Sequence, residues 1–553
     1  MIITEKKPFR EILQYLEGEN KIFIVGCGDC AELCQCGGER EALELSQKLK
    51  EAGKTVTGYI ISEGPCHNLR IARELRTVVR EIEAAESIIV LACGAGIQAV
   101  TDLTEKPVHP GLNTLFLGNV RRYGSFDERC SLCGECILDD TGGICPITRC
   151  AKSLPNGPCG GVQADGSCEV DGRECAWEQI FTRLRKQGRL HKLLKYQPMK
   201  DFERSIKPGR MNLREEDQEQ RAQKLQSQLE EREEKNQFSN FGHRNWQIKK
   251  DEVKPINLTR LQTELESGKS ITTVEIVPPK GTNIEQQLGY AENLKSYVTA
   301  VNVNENPASV MRTNSLSMCA LYVQRGIEPV LHITSRERNR LAIQSELLGA
   351  NILGIKNVMV MTGDHQSMGD HKEAKPVYDV DSVQLLRLIT ELMGGKDYNG
   401  NDLDGTPQFY AGAVVNPGAE LIEMQLLKMR KKWLAGARFF MTQAIFDLKR
   451  LEQFLGMLDD IDTYVIAGII PLKSAKMARY MNKNIPGITV PQNLIDIMEK
   501  SHDLRADSVA IAGELVNGCR ELCSGVHLMP IGWYDLVPSI LEYKTAEKPV
   551  IQI

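Results

Sequence analysis

The chain of 553 residues is too long for one ordinary domain, and at 42% hydrophobic and 25% charged it has the composition of a folded globular protein. A net charge of −5 argues against general nucleic-acid affinity, and no uninterrupted apolar run reaches membrane-spanning length. Without a signal pattern at Met1 the expectation is a cytoplasmic protein with no nucleic-acid partner and no membrane span.

The first stretch, MIITEKKPFREILQYLEGE, reads as an amphipathic helix. Residues 20 to 120 then read as a compact α/β unit. KIFIVGCG, TVTGYIIS, ESIIVLACGAG and LNTLFLGNV are strand-like, and EREALELSQKLKEAG and NLRIARELRTVVREIEAA helical, so a small parallel sheet is expected. Gly26-Cys27-Gly28 opens like a dinucleotide fingerprint, but cysteines follow where the third glycine belongs.

Cysteine is the strongest compositional signal. Of 17 cysteines, 14 lie between Cys27 and Cys175. A reducing cytosol favours metal ligation over disulfides for such a cluster. Cys27, Cys30, Cys34 and Cys36 crowd one strand-end loop, while Cys66 and Cys93 follow the next two strands, which a parallel sheet would bring to the same edge. In Cys130-x-x-Cys133-x-x-Cys136, followed by Cys145-Pro146, the two-residue gaps and the Cys-Pro ending match ferredoxin-type runs, although the last gap is longer. Cys150 and Cys159 extend this ligand set, with Cys168 and Cys175 beyond it. Two [4Fe–4S] clusters are the preferred expectation, and structural zinc is the alternative metal.

After Trp177 the sequence EQIFTRLRKQGRLHKLLKY reads as an amphipathic helix closing a Cys-rich α/β domain over 1–200. Residues 201–262 read as a charged linker, because 212 to 236 are almost entirely Glu, Gln, Arg and Lys. From Ile271 strands and helices alternate. ITTVEIVPP, TAVNVNENP, EPVLHITS, NVMVMTGD, QFYAGAVVNP, RFFMTQAIF, YVIAGIIP and GVHLMPIGW are the strands, which predicts an α/β fold with a C-terminal (β/α)8 TIM barrel over 263–553. Chemistry in that fold sits at the carboxyl ends of the strands. The polar residues there are Glu275, Asn302, Asn304, His332, Thr334, Asp364, Asn416 and Gln443, with His527 a further candidate. Each has a plainer reading: Asn304 and Asn416 as turn residues, His332 as a core histidine, Asp364 as a helix cap.

VEIVPPKG, LHITSRERNRL, NVMVMTGD, AGARFFMTQAIFD and IAGIIP, in this order and spacing, resemble methylenetetrahydrofolate reductase. The front segment CSLCGECILDDTGGICPITRCAKSLPNGPCGG resembles the iron–sulfur partner subunit of that reductase in acetogenic-type metabolism. The resemblance implies a flavin, FMN or FAD, at the barrel mouth and reduction of 5,10-methylenetetrahydrofolate to 5-methyltetrahydrofolate. It implies Glu275 as general acid, Asp364 at flavin and pterin, and Gln443 at the substrate. Asn304, His332, Thr334, Asn416 and Lys432 would complete the cofactor-binding set. Two departures stand out: EIVPP replaces EFFPP, and AGAVVNP replaces AYPEVHP, which puts Gly412 and Asn416 where the family has Tyr and His. Electrons would come from a ferredoxin, a dedicated redox subunit or NADH, in a homo- or hetero-oligomer. The alternative reading is a non-catalytic electron-transfer or folate-binding docking subunit.

Overall fold

The computed structural model describes residues 1–205, 207–211, 218–220, 222–227, 230, 259–458 and 460–544, so most of the expected linker lies outside the described residues. The chain divides into two compact units, Met1–Gly134 and Glu135–Ile553, and the division falls inside the stretch expected to form the Cys-rich domain.

In the first unit, strands β2 (Lys21–Cys27), β3 (Thr55–Ser62), β4 (Ser87–Leu91) and β5 (Val108–Pro110) form a parallel sheet in the order β3-β2-β4-β5. Two expectations are corrected here. The opening stretch is a strand, β1 (Ile2–Lys6), and only Phe9–Tyr15 is helical. The β-branched Ile2-Ile3-Thr4 favours extension, and Pro8 bars a helix from running through it. LNTLFLGNV does not continue the parallel sheet. It forms β6 (Leu112–Arg122), antiparallel to β1 and to β7 (Ser125–Cys130).

In the second unit eight parallel strands close a barrel: β8 (Ile271–Ile276), β9 (Ala300–Val303), β10 (Pro329–Ile333), β11 (Asn357–Val360), β12 (Tyr410–Val415), β13 (Phe439–Ala444), β14 (Tyr464–Ile469) and β15 (Gly525–Leu528). Successive strand residues face opposite sides, so Ile271, Thr273 and Glu275 share one face of β8. The amino end of the interior is apolar. Ile271, Ala300, Val330, Met359, Phe439 and Ile466 cluster there with Leu261 and Leu265 of the helix Arg260–Glu266. One layer towards the carboxyl end, Thr273, Asn302, His332 and His527 replace them, all buried.

Residues 135–205 belong to the same unit as the barrel. Their longest helix is Ala176–Lys186, shorter than the sequence suggests, because Gly188 turns the chain at φ +66° before a 3-10 stretch, Leu190–Leu194. Barrel side chains tie down the backbone of this segment. Lys428 Nζ donates to Gly157 O (3.0 Å), Lys431 Nζ to Lys195 O (2.8 Å), Gln384 Nε2 to Gln197 O (3.0 Å) and Arg340 Nη2 to Lys200 O (2.8 Å). Among the described residues no helix is long and apolar enough to cross a membrane.

Candidate active site

The mouth is built upward from the buried polar layer. Thr273 Oγ1 lies 2.9 Å and Asn302 Nδ2 3.3 Å from His527 Nδ1. With the Asn302 amide donating to Nδ1, the ring proton of His527 sits on Nε2, which faces Glu275 Oε2 at 4.0 Å. The other end of the amide, Asn302 Oδ1, accepts from His332 Nε2 at 3.0 Å. Both histidines are held neutral: burial pushes His527 down to about 4, and burial with the neighbouring His527 pushes His332 down to about 3.

Glu275 is next to last in β8, with 18% of its side chain exposed. Burial raises its pKa; the hydrogen bond from Asn304 Nδ2 to Oε2 (2.9 Å) opposes the rise. Oε2 is therefore committed to Asn304, and a proton would ride on Oε1. Asn304 follows β9 directly, so its amide reaches across from the neighbouring strand, whose Asn302 is Glu275's register partner.

Asp364 lies four residues beyond β11. Its Oδ2 accepts from Ala308 N (2.9 Å), in a loop where Asn306, Ala308 and Ser309 all have φ between +40° and +56°. Non-glycine residues hold such angles only where surrounding structure enforces them. Here Arg336, which is 1% exposed, donates to Asn306 O and to Asp364 O, each at 3.1 Å. Gln443 sits in a register shift between Met441 and Ala444, a bulge that re-aims one side chain at the end of β13. Its Oε1 accepts from Ala444 N (3.2 Å), which leaves the Nε2 donors for a ligand.

The remaining expected residues are more fully spent on the protein itself. Thr334 is buried, with its N–H on Glu305 Oε2 (2.6 Å). Asn416 Nδ2 donates to Gly160 O (3.4 Å) and Pro486 O (3.2 Å), and its Oδ1 accepts from Gly418 N (3.1 Å), so its amide pins three loops together. Lys432 is buried in the barrel wall, donates to Val414 O (2.6 Å), and is pushed down to about 7 by burial. Gly412 has a local reason: a Cβ there would lie 2.4 Å from ring carbons of Phe439, so the β13 ring fills the space beside it. Sequence reasoning missed Thr273, Glu305 and Arg336. Thr273 could have been found by counting two residues back from Glu275 on the same strand face.

Cys27 closes β2, Cys66 follows β3 and Cys93 caps the helix after β4, so strand direction puts them at one edge of the first unit's sheet, as expected. Among the described residues no cysteine is in a disulfide. The ligand sets themselves do not gather: among the described residues no three His, Cys, Asp or Glu side chains come together as a metal site. Individual thiols have local partners, such as Thr4 Oγ1 at 3.0 Å from Cys36 Sγ. Burial pushes Cys36 and Cys175 up to about 11 and Cys159 up to about 12. The residues as placed do not fit an iron–sulfur cluster or a zinc ion.

A flavin fits better. Asn304 Oδ1 and His332 Nδ1 are buried acceptors that meet no donor among the described residues, and a heteroaromatic ring bearing N–H groups could supply one.

A closed parallel barrel with a buried carboxyl of raised pKa on its first strand and a second carboxyl on a loop at its mouth defines a (β/α)8-barrel enzyme. A family model described as methylenetetrahydrofolate reductase matches residues 260–544, just over half of the chain, and the chain belongs to that family. A second model, described as methylene-tetrahydrofolate reductase C terminal, matches residues 109–203. The chain is 22% identical over 274 residues to a probable methylenetetrahydrofolate reductase (NADPH) of Caenorhabditis elegans, covering 48% of this chain and 39% of that one. It is 24% identical to methylenetetrahydrofolate reductase 2 of Schizosaccharomyces pombe over 46% of this chain and 41% of that one. For the 5,10-methylenetetrahydrofolate reductase of Salmonella typhimurium the identity is 25%, over 38% and 68%. The chain thus spans about two fifths of the length of the first two relatives.

Proposed function

We propose that this chain reduces 5,10-methylenetetrahydrofolate to 5-methyltetrahydrofolate at the barrel mouth, with Glu275 as proton donor and a flavin held by Asn304, His332 and the Asp364 loop. The observation that carries the reading is the inward Glu275 carboxyl, raised by burial and fixed on one oxygen by Asn304, in a chain of this family. When bound, flavin supplies hydride to the one-carbon unit.

The protein's own residues would do the rest. Opening the five-membered ring of the substrate needs a proton on a weakly basic amine, and Glu275 Oε1 is placed to deliver it, with burial favouring the protonated carboxyl. His527 turns Nε2–H towards the other oxygen from 4.0 Å, too far for a hydrogen bond, so it offers the carboxylate left behind a dipole only. Asp364, held on Oδ2 by Ala308 N, keeps Oδ1 for the cation that develops as the ring opens. The Nε2 donors of Gln443 are placed to orient the substrate.

Purified chain given reduced methyl viologen and 5,10-methylenetetrahydrofolate should form 5-methyltetrahydrofolate. Glu275→Gln should lose about 100-fold or more in kcat with folate binding retained, the usual scale for a lost general acid. Parent-like turnover in that variant, or no flavin absorbance and no flavin uptake by the chain, would overturn the reading.

The iron–sulfur reading of the cysteines, with electrons from an outside donor protein, keeps the support of spacing alone. Iron, sulfide and zinc analysis of anaerobically purified chain tests it. Matching iron and sulfide supports clusters; stoichiometric zinc, or no metal, removes them.

A further inference from the structure

Lys152 lies outside the barrel proper, in the cysteine-bearing stretch that precedes it, and is 4% exposed. Its ammonium has two partners. One is the Glu169 carboxylate, and the other is the carbonyl of Gly363, at 2.8 Å. Glu169 is itself placed by a built contact: its N–H donates to Gly161 O (2.9 Å), and a Cβ at residue 161 would lie 2.2 Å from a Glu169 carboxylate oxygen, so glycine there makes room for the acid.

Gly363 is the residue before Asp364 and sits at φ +82°, an angle glycine adopts without strain and leaves as readily. The next carbonyl, that of Asp364, is held by Arg336 Nη1 and Tyr378 Oη, both at 3.1 Å. The two peptide groups flanking the Asp364 side chain are therefore fixed by separate donors, and Lys152 is the donor on the amino side. A charge-assisted bond in a dry site constrains geometry more tightly than a neutral one.

We propose that Lys152, steered by Glu169, is a positioning residue that sets the direction of the Asp364 carboxylate at the mouth. The proposal rests on the reading of Asp364 given above. It also assigns a role to the cysteine-bearing stretch that needs no metal: residues 152 and 169 latch the loop after β11.

The test is a double-mutant cycle on the full chain, with reduced methyl viologen and 5,10-methylenetetrahydrofolate. Lys152→Met should lower kcat about tenfold with KM within about twofold. In an Asp364→Asn background the same change should cost less than about twofold, because a residue acting through Asp364 has nothing left to position. Equal losses in both backgrounds, or parent-like kcat in Lys152→Met, would overturn it. Hydrogen exchange across residues 361–369 reads the latch without turnover: it should speed up in Lys152→Met while the barrel strands stay protected. Unchanged exchange defeats the proposal even if the parent enzyme is active. A parent chain that forms no 5-methyltetrahydrofolate defeats the functional reading instead. Should Lys152→Met not fold, Glu169→Gln should show the same faster exchange, and its absence there would count equally against the latch.

Discussion

Glu275 and Asn304 oppose one another, and their balance predicts a pH response. Burial raises the carboxyl and the Asn304 N–H lowers it, by favouring the ionised form. Activity that needs protonated Glu275 falls as pH rises through its folded pKa. Asn304→Leu, which fills the space without donating, should move the alkaline limb of kcat to higher pH; an unmoved limb would show that Glu275 is not the titrating acid. The two neutral histidines act in the other direction. Their folded pKa values, about 3 and about 4, lie below the ordinary 6.5, so the unfolded chain binds more protons as pH falls. Stability should be fully present above about 6.5 and be lost as pH drops towards 4. His527→Gln should remove one proton from that uptake, flattening the slope by about 1.4 kcal/mol per pH unit within the window. A denaturation series at several pH values checks it, and an unchanged slope would contradict a buried neutral His527. Glu275 was legible because an acid amid β-branched residues is conspicuous. Thr273 and Asn302 were harder to rank, since a polar residue facing into a barrel carries the same letter as one facing out.

At the scale of elements, strand β12 owes its glycine to strand β13. The Phe439 ring is fully buried and stacks on Tyr410 with centroids 5.2 Å apart, so it has nowhere to withdraw from a new side chain at residue 412. Gly412→Val should destabilise the second unit by about 1–3 kcal/mol, the range for overpacking. Phe439→Leu in the same chain should recover part of that, and equal stability of Gly412→Val and parent in urea would refute the packing argument. All eight barrel strands could be read from the sequence because short, mostly apolar runs ended each time near a polar residue, proline or glycine. The details that aim the site could not. The bulge at Gln443 and the left-handed angles of Asn306, Ala308 and Ser309 arise from tertiary constraint rather than from local propensity. The opening strand β1 departs from the expected helix because Pro8 interrupts the hydrophobic pattern there.

At the scale of the whole molecule, the barrel of the second unit is tied through one carboxylate to the segment that precedes it. Asp381 has its side chain wholly buried, and its two oxygens do different jobs. Oδ1 caps the helix Ser382–Met393 by accepting from Val383 N and Gln384 N, both at 2.9 Å, while Oδ2 accepts from Asn156 N (2.9 Å) and faces Lys428 Nζ at 4.0 Å. Lys428 in turn holds Gly157 O, so one carboxylate organises both the barrel helix and the segment laid against it. The sequence hid this, because ties between side chains and a distant backbone leave no periodic trace, and a charged linker invited a boundary near residue 200. Asp381→Ala should cost about 3–5 kcal/mol, because it removes a helix cap and strands a buried ammonium together. Asp381→Asn should cost less, since the amide oxygen can still cap the helix while the charge is lost. Urea denaturation separates the two, and limited proteolysis locates the damage: cleavage should appear first within residues 135–205. A loss below about 1 kcal/mol in Asp381→Ala, or first cleavage within the barrel strands, would mean that the preceding segment merely rests on the barrel and does not complete it.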